Sequence, residues 1–230
     1  MPERSRIRRF VEQNALSLVF GLLFLLSLVG QAWSGWTQFN DTQAAEGFGQ
    51  VSIWQYVTSA DFAVDVSENW QSEYLQFLVF IVLTIWLVQV GSTESKKPGE
   101  EGLESEEEQS IGAHANPDSP KWAKVGGWRT LTFSWSLTLV MGAIFLGAWI
   151  TQWIAGWAAY NETQLQQLLD PVSLWAYLGN ADFWSRTLQN WQSEFLAVGS
   201  MAIFSVYLRQ RGSSQSKPVG SAHDTTGVDG

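Results

Sequence analysis

One five-residue block occurs twice, as Asn69-Trp70-Gln71-Ser72-Glu73 and as Asn190-Trp191-Gln192-Ser193-Glu194. Two amides, a hydroxyl, an indole and a carboxylate in five positions are the densest chemistry in the chain. Two copies of the block supply a pair of carboxylates, Glu73 and Glu194, each at the edge of an apolar run. Ionisable groups in such a place mark ion or proton paths. Asp61 and Asp182 form a second pair of the same kind. Gln31 and Gln152 form a third, now within apolar sequence, where an amide needs a partner and its own copy offers one.

The same residue types also have an architectural reading. Asn69 and Asn190 can cap helix starts, with Glu73 and Glu194 complementing the positive helix end. Trp70 and Trp191 then sit at headgroup depth, ring buried and N–H wet. A helix start further upstream, at Ser59 or Asn180, is the alternative. Phe62, Val66, Trp70 and Tyr74 recur at helical spacing, as do Phe183, Thr187, Trp191 and Phe195. On that reading Asn and Glu become side-chain partners inside the assembly. Identity between the copies does not separate architecture from activity, and the architectural reading needs fewer assumptions.

Little other chemistry is available. The chain has 230 residues, no cysteine and two histidines, His114 and His223, both in polar stretches. This excludes disulfides, thiolate nucleophiles and Cys-bound metals, and makes a histidine metal site or triad improbable. There is no Gly-rich phosphate loop. Carboxylates, serines and tyrosines remain, with no motif arranging them into an acid/base or nucleophilic site. The chain therefore reads as a non-enzyme with no cofactor, no metal and no nucleic-acid partner.

The elements that position these residues come from segregated hydropathy. A mean hydropathy of −0.03 suggests a soluble protein, but the average hides four uncharged runs: Ala15 to Trp36, Tyr74 to Val90, Thr130 to Tyr160 and Phe195 to Leu208. A helix needs about 20 mostly apolar residues to cross a bilayer core, which the first and third runs supply. The second and fourth are short and need to extend back through Glu73 and Glu194. Backbone groups in lipid must be satisfied within the segment, so all four are expected to be helices. The fold class predicted is all-α, an integral membrane protein of four transmembrane helices. The first run also resembles a leader, with Arg4, Arg6, Arg8 and Arg9 before it and Gly30-Gln31-Ala32 as a loose cleavage site. It is expected to be retained, because the same pattern recurs inside the chain.

That recurrence is extensive. A shift of 121 residues aligns Gln31 to Lys96 with Gln152 to Lys217 without a gap. Gly35-Trp36, Asn40, Val51-Ser52, Tyr56 and Ala60-Asp61-Phe62 meet Gly156-Trp157, Asn161, Val172-Ser173, Tyr177 and Ala181-Asp182-Phe183. The exits agree too, as Gly91-Ser92 and Ser95-Lys96 against Gly212-Ser213 and Ser216-Lys217. Each unit reads as helix, outer loop, helix. Two crossings return the chain to its starting side, so the copies are expected to be parallel tandem hairpins with pseudo-twofold symmetry about the membrane normal.

Lys and Arg set the orientation. The outer loops carry Arg186 as their one basic residue, whereas the N-terminal arm, Lys121, Lys124, Arg129, Arg209, Arg211 and Lys217 flank the other ends. Both termini and the middle linker are thus expected in the cytoplasm, with both repeat loops facing outward. The organisation predicted is a basic arm (1–14), a first hairpin (15–90), an acidic disordered linker with a basic end (91–128), a second hairpin (129–209) and a flexible tail (210–230). The linker centre, EEGLESEEEQ, supplies much of the net charge of −9. Trp86, Trp122, Trp128 and Trp135 lie toward the cytoplasm, and the other ten of the 14 tryptophans toward the outer face.

The order Gly-Gln-x-x-x-Gly-Trp, Asn, Ser-x-Trp-x-Tyr, Asp-Phe, Asn-Trp-Gln-Ser-Glu and Gly-Ser-x-x-Ser-Lys resembles an uncharacterised family of small bacterial membrane proteins, known only as a domain of unknown function. The resemblance implies a multi-pass protein of the bacterial plasma membrane and supplies no activity, ligand or catalytic residue. The expected role is structural or interactive work at the outer face. The partners expected are the lipid bilayer and a membrane-protein partner or a second copy. A small transporter or proton conductor built on the paired Glu and Gln is the alternative, and an outer-leaflet enzyme using the carboxylates is the third reading.

Overall fold

The structure is a computed structural model that describes residues 6–227; Arg4 of the basic arm lies outside them. The described residues form helices and turns without a strand, so the all-α expectation holds. In chain order the helices are α1 (Arg6–Gln13), α2 (Ala15–Ala45), α3 (Ile53–Val57), α4 (Ala60–Leu83), α5 (Lys121–Lys124), α6 (Gly127–Ser134), α7 (Ser136–Gln166), α8 (Leu174–Tyr177) and α9 (Ala181–Tyr207). The chain divides into two compact units, residues 1–65 and 66–230, with α4 running across the division.

Among the described residues two helices, not the four expected, are long and apolar enough to cross a membrane: α2 and α7, of 31 residues each. At about 1.5 Å per residue each is longer than a hydrocarbon core is thick. The other two fall short because their polar and apolar parts share one helix. α4 carries Asp61, Asp65, Glu68 and Glu73 before its apolar stretch begins, and α9 carries Asp182, Arg186 and Glu194. The run expected to stay helical to Val90 also stops at Leu83. Beyond it the backbone leaves the helical ladder. The Gln89 N–H donates to the Ser95 hydroxyl (2.8 Å), and the Ile85 carbonyl accepts from Gly102 N–H (2.7 Å).

Each long helix is tied to the loop that follows it by one arrangement. In the first unit Asn40 accepts from Val51 N–H (2.8 Å) and donates to Val51 C=O (3.0 Å), while the Trp36 indole donates to the same carbonyl (2.8 Å). In the second, Asn161 does both to Val172 at 2.8 and 2.9 Å, and Trp157 adds its 2.8 Å bond. An amide side chain offers one donor and one acceptor, so it can close a peptide unit as a β-strand neighbour would. Ser52 and Ser173 then cap the short helices α3 and α8.

The Gly-Ser-x-x-Ser-Lys exits fold alike. Ser95 and Ser216 accept from the backbone N–H of Gln89 and Gln210, and each lysine that follows reaches forward to carbonyls. Lys96 donates to Gly102 C=O (2.6 Å) and pairs with Glu104. Lys217 is buried and donates to the carbonyls of Ala222, His223 and Thr225 at 3.3, 2.8 and 3.2 Å. The segments read from composition as tether and tail thus hold defined turns, and the tail packs on the turns that begin the linker: Thr226 accepts from Gly91 N–H (2.9 Å) and Ser92 C=O accepts from Gly227 N–H (3.0 Å).

Candidate functional site

The repeated block lies in mid-helix. α9 is capped at Asn180, whose side chain accepts from Asp182 N–H (2.8 Å), and Ser59 accepts from Phe62 N–H (3.3 Å) at the start of α4. The upstream start is therefore the one adopted, and the reading of Asn69, Asn190, Glu73 and Glu194 as caps is corrected. Asn190 instead donates to Arg186 C=O one turn back (2.9 Å).

From Glu68 onward, α4 runs beside α9 as a polar seam. Arg186 pairs with Glu68 (3.1 Å) and with Asp182 (3.5 Å), and Asp182 accepts the Tyr177 hydroxyl (2.6 Å). Further along, the Trp191 indole donates to Gln71 Oε1 (2.7 Å), and Gln71 Nε2 donates to Glu68 C=O (3.0 Å). Glu73 is near enough for its charge to act on Glu194. The pairs 68–186 and 71–191 ascend together, so the two helices are parallel here. The copies of the block differ in surroundings. Gln71 and Ser72 are fully buried, whereas Gln192 and Ser193 are exposed.

Gln152 is buried on α7 and donates to the Thr187 hydroxyl of α9 (3.2 Å). This bond lies within one hairpin; Gln31, in the first unit, is half-buried. The Gln152 carbonyl oxygen and the Trp149 indole N–H, one turn apart, have no hydrogen-bond partner. Trp149 is surrounded by rings, with centroids at 5.8 Å to Phe145, 6.0 Å to Phe183, 6.3 Å to Trp184 and 6.2 Å to Trp191. Of the two aspartates, Asp182 belongs to the seam, and Asp61 lies where its charge acts on Tyr56.

Among the described residues no three His, Asp or Glu side chains gather to hold a metal ion. The groups that do gather are already paired with one another, which fixes helices more readily than it turns over a substrate. Their electrostatics is marked at Tyr177, in the loop between α7 and α9. Burial first, and then the Asp182 carboxylate that accepts its hydrogen bond, push the phenol well above its ordinary value; Glu68 adds to the rise and Arg186 opposes it. Tyr56 is raised as well, by burial and then by Asp65 and Asp61.

A raised folded-state pKa contributes stability that is complete below the unfolded value, near pH 10, and is lost as pH rises through the folded value. Thermal stability is therefore expected to be flat on this account through neutral pH and to fall in the alkaline range. Tyr177→Phe should flatten that fall. Tyrosinate absorbance during an alkaline titration of the folded protein checks it, since Tyr177 should ionise only as the structure opens.

Sequence reasoning named Gln71, Trp191, Asp182 and Gln152, which the structure brings into or beside the seam. It passed over Glu68, Tyr177 and Thr187 as partners, and it used Arg186 only to orient the loops. The available signal for Arg186 was its solitude among acids in the outer loops.

No curated protein and no solved structure matches the chain. A family model, described as "Domain of unknown function (DUF6766)", matches residues 7–228. The match takes in both copies of the repeated block and the acidic segment between them, and the chain belongs to that family.

Proposed function

We propose that this protein is a non-enzymatic membrane component that presents a rigid, acidic, tryptophan-rich surface to a protein partner on one side of a bacterial plasma membrane. Its two tandem hairpins are related by a pseudo-twofold axis, and α2 and α7 are the full crossings. The apolar ends of α4 and α9 enter the bilayer beside them, and both termini lie in the cytoplasm. One observation carries the reading: the polar groups of the seam are engaged in tying helices together, as in Gln71 with Trp191 and Arg186 with Glu68. A site that processes a ligand needs groups left available to it.

The test is the double substitution Glu73→Gln/Glu194→Gln. Membrane abundance, thermal midpoint and complementation of a deletion strain are expected to match the wild type, with a small gain in midpoint as like charges are removed. Lost complementation at normal abundance would sink the structural reading.

A second reading is favoured by the nearness of Glu73 to Glu194 and by the unpartnered Gln152 oxygen. It is a small conductor of protons or cations, and liposomes carrying the purified protein test it directly. A flux abolished by the double substitution supports this reading, and no flux across imposed gradients removes it.

A further inference from the structure

Between the acidic linker and α7 the chain builds a small basic and aromatic corner. The chain turns from α5 into α6 at Gly126 and Gly127, at φ of 71° and 63°. That backbone suits glycine and lets the chain turn sharply between the two short helices. The Thr130 hydroxyl closes the corner on the Trp122 carbonyl (2.6 Å), and the Trp122 and Trp128 rings meet edge to face at 6.0 Å. Trp128 is nevertheless 66% exposed and Trp122 44%, and Val125 and Leu131 are exposed beside them. Lys121 and Lys124, both exposed, lie either side of Trp122 in the sequence, Lys124 donating to the Pro117 carbonyl, and the Arg129 guanidinium lies over the Trp128 ring at 5.5 Å.

We infer that residues 121–134 form an interfacial anchor that docks on the anionic phospholipid leaflet at the start of α7. Indoles and exposed aliphatic side chains enter the headgroup layer, and Lys121, Lys124 and Arg129 meet its phosphates. Three cations on an apolar exposed surface complement an anionic leaflet, and the surface is continuous through α6 with one of the two membrane-competent helices. The other is preceded by a segment of the same kind. α1 carries Arg6, Arg8 and Arg9 with Ile7, Phe10 and Val11 exposed, directly before α2. This inference rests on the membrane reading given above.

The chain has no cysteine, so single cysteines can carry spin labels in the otherwise intact protein. Three sites suffice: Val125→Cys in the corner, Glu107→Cys in the acidic linker and Leu146→Cys on α7. The protein is reconstituted in vesicles of zwitterionic lipid with and without phosphatidylglycerol. Collision with oxygen is compared with collision with a water-soluble nickel chelate.

The label at 125 should favour oxygen over nickel far more than the label at 107, and more so with phosphatidylglycerol. Lys121→Gln, Lys124→Gln and Arg129→Gln should together abolish the lipid dependence, each charge being worth roughly fivefold in partition. A label at 125 as water-exposed as that at 107, with 146 in the bilayer, overturns the anchor alone. A label at 146 in water overturns the membrane reading and the anchor with it. A label at 125 that is immersed equally in both lipids, with no effect of the three substitutions, overturns the phosphate contact.

Discussion

Tyr177→Ala is expected to cost about 4 kcal/mol, in the range for emptying a buried aromatic site. Tyr177 is completely buried, its ring packs against Tyr160 at 5.5 Å and Phe183 at 5.8 Å, and its hydroxyl holds Asp182. The substitution therefore removes the centre of the packing between α8 and α9 and releases Asp182 toward Arg186 alone. Tyr177→Phe keeps the ring and forfeits only the hydrogen bond, at roughly 1–2 kcal/mol. Thermal midpoints in detergent should rank wild type, Phe and Ala in that order, and proteolysis of the Ala variant should open between α7 and α9 first. An Ala variant with wild-type stability would show that the loop is not packed as described.

The second large effect sets identical residues against each other. Gln71→Ala should destabilise by roughly 2–4 kcal/mol, because it strands the Trp191 indole N–H in a desolvated position and leaves a void beside α9. Gln192→Ala, at the matching but exposed position, should lie within about 0.5 kcal/mol of the wild type. Trp191→Phe and the Gln71→Ala/Trp191→Phe double variant complete a double-mutant cycle, and Gln71 and Trp191 should couple by about 1 kcal/mol or more. Equal effects at 71 and 192 would mean that the two copies share one environment, against the burial seen here.

How much of this was legible follows from what each feature depends on. α2 and α7 were plain because a long uncharged run makes a helix whatever surrounds it. The repeat marked Asn40 and Asn161, and Trp36 and Trp157, as matching positions without saying what they do; the identical bonds they make to Val51 and Val172 depend on how each loop folds back. The end of α4 was not legible, since apolar residues continue past Leu83. Past it the ladder tightens into turns, Ile85 N–H to Val82 C=O and Trp86 N–H to Leu83 C=O, and the Ile85 carbonyl accepts from the distant Gly102 N–H, a partner no local pattern announces. The seam was half legible for a different reason. Looking for identity between copies finds Gln71 and Trp191 but discards the positions where copies disagree, and several of the cross-links lie there. Arg186 aligns with Asp65, Glu68 with Gln189 and Thr187 with Val66. The block itself was read first as a pair of caps because its composition suits a helix start. Only the caps at Ser59 and Asn180 decide that it lies nearly three turns further on.

The Arg186–Glu68 pair also says something about how this chain can be assembled. Two first hairpins laid side by side in the same way would set Asp65 against Glu68, acid facing acid. Two second hairpins would set Arg186 against Gln189, leaving the cation its own helix's Asp182 but no Glu68 carboxylate across the seam. Only one hairpin of each kind satisfies both partners, so the halves recognise each other and not themselves. On this geometry the two hairpins are expected to pair with each other in preference to themselves, which co-expression of the separated halves would check.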